Sequence, residues 1–347
     1  MNNPRRTAKL FVMVTALCSL TLSALPSKAG RSAYDVDTRL AEYARAFPDI
    51  QFVHLAGEPD IDDALMLQQR LGPGARDLTY EHGLDEVALL IEAQIQRIVL
   101  MLANELPSAT LFGVKTSSEF HAPYVCVISL DPTSFRNNPL AATQLLLGEL
   151  DVDSKNLATD VTVNNERFFA FTLDHEVFHC LDAYLNGPTI RRTTTEIDGC
   201  YEFYRSEQRA ELFAALASRA RDDRSDRFLD TLAAYRTLAL LDWDYMHYTV
   251  PALRSARESP MQEVAGLGLA ALARYASELA DRSVVARKKF PGFLAAAHHV
   301  ATERGVVAAW AAPETEELQD IHKDERHVTA LNLALNSAQR AIAGSMY

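Results

Sequence analysis

The sequence predicts a predominantly helical α+β protein with a small sheet and a helical C-terminal region. Long segments repeat apolar residues at helical spacing and stop at proline or glycine. Two short segments rich in β-branched and aromatic residues are the best strand candidates. Hydrophobic residues occupy 48% of the 347 positions, which is enough to bury a sizeable core.

Residues 1–29 have the pattern of a secretory signal peptide. Basic residues precede an apolar run over 10–25, and Ser27 and Ala29 are spaced like a cleavage site before Gly30. An uncleaved anchor helix is the alternative, although the run is short for a membrane span of about 20 residues. We therefore expect a mature chain from Gly30 that is periplasmic or secreted.

The mature chain is expected to be strongly acidic. Residues 1–29 contain four basic residues and no acidic one, so their removal changes the net charge from −12 to −16. Such a charge disfavours binding to phosphate backbones, so nucleic acid is not an expected partner. No later segment is an unbroken apolar run long enough to span a membrane, so no membrane contact is expected after signal cleavage.

The first elements predicted are one long helix and one hairpin. Leu84–Leu106 is apolar-rich, has acidic residues near its start and is followed by Pro107, which is typical of a largely buried helix. The strand candidates are Ala109–Lys115 and Tyr124–Leu130, and turn-prone residues separate them. We expect these two strands to form one hairpin.

The second half of the sequence is predicted to be almost wholly helical. A short helix over 138–150 and a polar loop over 151–164 precede a longer helix, which Asn164 or Asn165 could cap and which an Asn-Gly-Pro stop signal at 186–188 ends. Another helix is predicted over 201–220, and polar residues at 222–225 interrupt it.

Helical patterns then continue to the C-terminus, interrupted only near prolines. The chain contains no repeat of fixed period and no long low-complexity linker. We therefore expect residues 30–347 to form a single domain, and a helical subdomain from about residue 250 is the alternative.

Three cysteines remain after residue 29. Cys180 and Cys200 are the pair expected to form a disulfide in an oxidising compartment, with Cys126 as a buried thiol. Three unpaired thiols are the alternative. Since no C-x-x-C spacing occurs, cysteine is not expected to bind a metal.

The segment His175-Glu176-Val177-Phe178-His179 matches the pattern H-E-x-x-H. On a helix with 3.6 residues per turn, the two histidines lie one turn apart on the same face, so both can bind one metal ion. Glu176 lies at the edge of that face, where it can act as a general base on water. An accidental match is the alternative, so further metal ligands are needed to support the motif.

Glu207 and Glu211 lie four residues apart on the next predicted helix. A catalytic zinc ion takes three protein ligands and keeps an open position, and Glu207 would be the third. Together with H-E-x-x-H, this pattern resembles the gluzincin class of zinc metallopeptidases, in which E-x-x-x-D follows on a second helix. The resemblance covers residues 175–214 and implies a zincin-like arrangement of the two helices.

The resemblance also implies a role for each residue of the pattern. Zn²⁺ would be bound by His175, His179 and Glu207. Glu176 would be the general base, and Glu211 would hold a ligand histidine in the correct tautomer. This chain departs from the family at Glu211, where the usual residue is the shorter aspartate.

Other acids compete for these roles. Asp198, Glu202 and Glu211 are alternatives to Glu207 as third ligand, and a solvated helix face without metal is a further alternative. Asp182 lies three residues beyond His179 and is expected either to support the site or to form a local salt bridge.

Two further assignments follow from the resemblance alone. Gluzincins often use a downstream histidine or tyrosine to stabilise the oxyanion, and His247 is the candidate here, with Tyr248 beside it. An aromatic packing segment is the alternative for both residues. The strand Tyr124–Leu130 would be the edge strand that pairs with an extended peptide substrate.

These features predict an exported zinc peptidase that hydrolyses peptide or protein substrates. One alternative is a non-catalytic helical binding or structural protein, with four protein ligands around a metal or with no metal. A second alternative is an enzyme that uses iron or manganese, because two histidines and one carboxylate also suit non-haem iron.

Overall fold

The computed structural model shows a small mixed sheet packed against helices. The description covers residues 34–55, 67, 69–71, 75–78, 107–114, 122–148, 156–159, 161–187, 196–222, 225–242, 244–303 and positions within 329–340. The predicted fold class, a predominantly helical α+β protein, is confirmed. The predicted signal peptide over 1–29 and the predicted helix Leu84–Leu106 lie outside the described residues.

The sheet has four strands in the order β1-β4-β3-β2. They are β1 (Ile50–Leu55), β2 (Arg76–Asp77), β3 (Ser108–Gly113) and β4 (Tyr124–Ser129). The predicted antiparallel pairing of the two strand candidates is confirmed, because β3 and β4 are antiparallel, with Leu111 opposite Cys126. β1 is parallel to β4, which makes the sheet mixed.

The assignment of Tyr124–Leu130 as an edge strand for substrate is wrong. β4 pairs with β1 along one side and with β3 along the other, so its backbone groups are already used on both sides. An extended peptide can add only to a strand with a free edge. The strand that covers β4 is Ile50–Leu55, which none of the sequence patterns above assigns.

Side-chain caps fix the starts of the first helices. α1 (Val36–Ala46) begins after Asp35, whose carboxylate accepts a hydrogen bond from the amide of Thr38 at 3.2 Å. α2 (Pro132–Asn137) begins after Asp131, which caps it in the same way, and has proline in its first turn. α3 (Ala141–Leu147) follows within the span predicted for a short helix.

The central helix is α4 (Asn165–Asn186), which carries the H-E-x-x-H segment. The side chain of Asn164 accepts a hydrogen bond from the amide of Arg167 at 2.9 Å and caps its start. Gly187 ends it at a φ of 83°, in the left-handed region that glycine adopts without strain. Of the two candidate caps, the structure selects Asn164, and the predicted stop is confirmed. Residues on every side of α4 are buried, as expected of a helix inside a core.

The remaining helices surround α4 and its partner α5. Their bounds are α5 (Glu196–Arg221), α6 (Ser225–Leu238), α7 (Val250–Glu258), α8 (Met261–Ala265), α9 (Leu269–Ser283) and α10 (Phe290–Glu303). α5 begins earlier than the predicted start near residue 201. The helices after residue 250 pack on α5 and share one hydrophobic core with the helices before it. Of the described helices, none has the length and apolar character needed to cross a membrane.

A disulfide joins the sheet to the central helix. Cys126 of β4 and Cys180 of α4 are bonded, and both residues are fully buried. The expected Cys180–Cys200 pair is therefore wrong, and Cys200 is a free, partly buried thiol that accepts a hydrogen bond from Tyr245 at 3.3 Å. Residue 180 is turned about 100° from residue 179 around the helix. Its side chain therefore faces the sheet, whereas His179 faces α5.

The disulfide gives a direct prediction about stability. Replacing Cys126 and Cys180 together by alanine should lower the free energy of unfolding by about 2–4 kcal/mol, because the bond closes a chain separation of 54 residues. Urea denaturation under oxidising conditions measures this difference. Cys200→Ala is the control and should have a much smaller effect, and a double variant as stable as the parent would show that the bond does not form in solution.

Candidate metal centre

Three side chains from α4 and α5 bring their donor atoms together. Nε2 of His175 lies 3.2 Å from Nε2 of His179 and 3.2 Å from Oε2 of Glu207. Nε2 of His179 lies 3.4 Å from Oε1 of Glu207. Among the described residues, these three form the group whose donor atoms all lie within 4.8 Å of one another. The protein therefore contains a buried His-His-Glu group that could hold a metal ion.

The spacing of these atoms fits a single small cation. Zinc binds nitrogen and carboxylate oxygen at about 2.0–2.1 Å, which in a tetrahedral site puts neighbouring ligand atoms about 3.3–3.4 Å apart. The observed separations of 3.2, 3.2 and 3.4 Å match this value. One ion can therefore contact all three donors without a large movement of either helix.

The second nitrogen of each imidazole faces α5. Nδ1 of His175 lies 3.0 Å from Oε2 of Glu211, at an ion-pair distance although not with the angle of a well-aligned hydrogen bond. Nδ1 of His179 lies 3.4 Å from the hydroxyl of Ser206. A carboxylate can only accept, so Glu211 favours a proton on Nδ1 of His175, which leaves Nε2 available for a metal, and the hydroxyl of Ser206 can accept from Nδ1 of His179 in the same way.

Glu211 lies beside His175 and is held by residues from other elements. It is fully buried, and Arg236 of α6 donates to both of its carboxylate oxygens, at 2.7 and 3.1 Å. The hydroxyl of Thr249 donates to the first of these oxygens at 2.9 Å. The longer side chain of glutamate thus reaches His175 while three further hydrogen bonds hold it.

Neighbouring charges shift the pKa values of the ionisable groups in this site. Burial alone would lower the pKa of His175, but the adjacent carboxylates of Glu207 and Glu211 outweigh it and raise the pKa to about 10. Burial would raise the pKa of Glu207, yet the neighbouring imidazoles hold this pKa far below its ordinary value. For Glu211 the charge of Arg236 likewise outweighs burial, and its pKa falls to about 2. The site therefore holds ionised carboxylates and favours positive charge between them.

Glu176 is buried beside this group. Only 7% of the residue is exposed, and burial raises the pKa of its carboxyl to about 7. The charges that act on its pKa include those of His175, Glu207 and His247. A carboxyl with a pKa near neutrality is suited to accept and release a proton during a reaction.

His247 lies at the margin of the site, outside the group of three donors. Its Nε2 is 3.7 Å from Oε2 of Glu207, and its side chain is 40% exposed. Its Nδ1 is 2.6 Å from the carboxylate of Asp244, which fixes the ring. Tyr248, the neighbouring candidate, is fully buried and packs on Phe293, so it belongs to the core.

The other acids considered for the site, Asp198, Glu202 and Asp182, form salt bridges with arginines. Asp198 and Glu202 both form ion pairs with Arg287, and neither belongs to the group of donor atoms, which contains Glu207. Asp182 is buried, and its contacts in the described region are with Arg209 at 3.0 Å and Asn186 at 2.7 Å. Of the two possibilities for Asp182, the structure shows a salt bridge that links α4 to α5.

Three residues that support the site, Asp244, Arg236 and Thr249, are not predicted from the sequence. Asp244 lies three residues before His247, and this spacing of an acid and a histidine is a pattern that could have indicated it. Arg236 and Thr249 reach Glu211 from separate elements. No local pattern marks them, because their role comes from the packing of α6 and of the segment after it against α5.

Comparisons with models of known protein families, with curated proteins and with solved structures find no match. The chemistry of this protein therefore follows from the arrangement of its own residues. That arrangement is a buried donor set on two packed helices, with an acid and a partly exposed histidine beside it.

The assignment of Glu207 can be tested against a neighbour on the same helix. Glu207→Gln should weaken zinc binding by more than about 100-fold, since even loss of a residue that only supports a ligand costs about 10–100-fold. Glu202→Gln is the matched control and should leave zinc affinity unchanged, because Glu202 pairs with Arg287. Competition with a chromophoric chelator measures both affinities, and equal affinities in the two variants would contradict the assignment.

Proposed function

We propose that the protein is an exported, zinc-dependent peptidase that hydrolyses peptide bonds. The observation that carries the proposal is the convergence of His175, His179 and Glu207 on one point, while His247 stays outside the ligand group. Three protein ligands with a free fourth position are typical of catalytic zinc, whereas structural zinc is usually enclosed by four.

The residues beside the ligands favour hydrolysis over oxidation chemistry. Two histidines and one carboxylate also suit iron, so the ligand set alone does not choose between the metals. Glu176, however, directly follows a ligand and has a buried carboxyl whose pKa is raised by burial to about 7. A general base at this position is what water-dependent cleavage of a carbonyl compound requires.

The steps of the reaction follow from the side chains. A bound zinc ion supplies Lewis acidity, which acidifies water and polarises a substrate carbonyl. Glu176 accepts the proton of the attacking water and then transfers it to the leaving amine. Glu211 keeps the imidazole of His175 in orientation throughout.

His247 is assigned to the developing oxyanion. Asp244 holds Nδ1, which leaves Nε2 directed towards the side of the site where Glu207 lies. A protonated imidazole in this position can donate from Nε2 to a negatively charged oxygen. Its partial exposure also fits a residue that meets substrate at the mouth of the site.

Export is supported by two features that are independent of the site. The N-terminal residues have the pattern of a cleavable signal, and Cys126 and Cys180 form a disulfide. Disulfides persist in oxidising compartments and are rare in the cytosol. A peptidase in the periplasm or outside the cell is consistent with both features.

The role of Glu176 is tested by Glu176→Gln. This variant should bind zinc like the parent but hydrolyse a fluorogenic peptide mixture about 10²–10⁴-fold more slowly, because the amide cannot accept the proton. Glu166→Gln, on the exposed part of the same helix, is the control and should remain fully active. Full activity of Glu176→Gln would remove the proposed mechanism.

The role of His247 is tested by His247→Ala. The value of kcat should fall by about 10²–10³-fold, the usual cost of losing one oxyanion donor, with KM and zinc affinity nearly unchanged. The exposed His298 of α10 provides the control variant, His298→Ala, which should behave like the parent. If His247→Ala instead lost zinc, His247 would be a fourth ligand and the site would be structural.

A further inference from the structure

Glu211 is fixed by polar contacts with three residues, Arg236, Thr249 and His175. It is fully buried, where an unpartnered carboxylate would be costly, and its two oxygens make four polar contacts. Three of these contacts come from Arg236 and Thr249, which lie on different elements. The fourth is the approach of Oε2 to Nδ1 of His175.

The two oxygens of Glu211 have different tasks. Oε1 accepts from Nε of Arg236 at 2.7 Å and from the hydroxyl of Thr249 at 2.9 Å, so it has no capacity for the histidine. Oε2 accepts from Nη2 of Arg236 at 3.1 Å and keeps a second position for Nδ1 of His175, 3.0 Å away. The fork of the guanidinium thus fixes the plane of the carboxylate.

A fixed plane matters here because the residue is glutamate. Its side chain has one more rotatable bond than aspartate, so the carboxylate needs an external contact to stay in one orientation. The planar fork of Arg236 provides that contact, with 16% of the arginine side chain exposed. A lysine could reach one oxygen as a point charge, but it could not set the plane.

We propose that Arg236 is a positioning residue of the metal centre, which locks Glu211 so that Nδ1 of His175 is held and its Nε2 faces the ion. The proposal rests on the proposed function for the identity of the metal. Thr249 has the same task to a smaller degree. It lies two residues after His247, so one short segment contributes both to the substrate side of the site and to the support of its ligand.

The experiment measures zinc affinity in the full mature chain by chelator competition. Arg236→Met should raise the zinc dissociation constant by about 10–100-fold, the usual cost of losing a residue that supports a ligand. Arg236→Lys should recover part of this loss, and Thr249→Val should show a smaller loss than Arg236→Met. The absorption bands of the cobalt-substituted protein should change in the same order, because they report ligand geometry.

Arg257→Met is the matched control. Arg257 pairs with Asp230, so this pair also joins α6 to a neighbouring element through a mostly buried arginine. The control should lower the melting temperature of the metal-free protein but leave zinc affinity and the cobalt spectrum unchanged. Equal losses of zinc affinity in Arg236→Met and Arg257→Met would reduce Arg236 to a structural residue and overturn the proposal.

The variants also separate this proposal from the proposed function. If Arg236→Met does not fold, Arg236→Lys and Thr249→Val decide, and parental affinity in both would overturn the positioning role. If the variants lose zinc in the expected order but the parent cleaves no peptide, the peptidase proposal fails and the role of Arg236 stands. If the parent cleaves peptides while Arg236→Lys and Arg236→Met bind zinc normally, only the role of Arg236 fails.

Discussion

The fold depends on the burial of ionisable side chains along one helix. The central helix α4 carries five such residues with exposures between 0 and 9%: Asp174, His175, Glu176, His179 and Asp182. Burying a charge is costly unless a partner of opposite charge or a set of hydrogen bonds compensates it. The elements around α4 are therefore constrained to bring partners to fixed points along it.

Two of these residues bracket the candidate metal site. Asp174 pairs with Arg39 of α1 at 3.0 Å and with Arg221 of α5 at 2.6 Å, and these two cations outweigh burial and lower its pKa. Asp182 pairs with Arg209 of α5 at the other end. Because the ligands lie between these two anchors, the rotation of α4 and its distance from α5 are fixed on both sides of the site. The disulfide holds the opposite face of α4 against β4.

The sequence predicts the features that depend on neighbouring residues and leaves open those that depend on contacts between distant segments. The course of α4 is encoded by adjacent residues, from the cap at Asn164 to Gly187, and the spacing of the two histidines needs only a helix to place them together. The choice of Glu207 over Glu202 depends on which face of α5 meets α4, and a helical pattern alone leaves this phase open. It is decided by packing across the two helices, in which Phe178 stacks on Phe213 with ring centres 4.8 Å apart.

The two wrong predictions, the Cys180–Cys200 disulfide and β4 as an edge strand, also concern contacts between distant segments. The partner of Cys180 is 54 residues away in the chain, so proximity in sequence favoured Cys200 although the side chain faces the sheet. The assignment of β4 as an edge strand comes from the family resemblance alone, whereas the parallel strand β1 pairs along it, and no local feature predicts a parallel partner. Long-range pairing thus decides what local patterns leave open.

The charges of the site favour a cation between its three donor atoms. When the imidazoles are neutral, the ionised carboxylates of Glu207 and Glu211 outnumber the positive charge that Arg236 brings to them, so negative charge is in excess. The raised pKa of His175, about 10, expresses the same excess, since the carboxylates hold a proton on its ring against the cost of burial. A divalent cation between the three donors satisfies this excess better than a proton does, because it carries twice the charge and contacts all three at once. An ion held there would need Nε2 of His175 without a proton, and the carboxylate of Glu211 beside Nδ1 favours a proton on that other nitrogen instead.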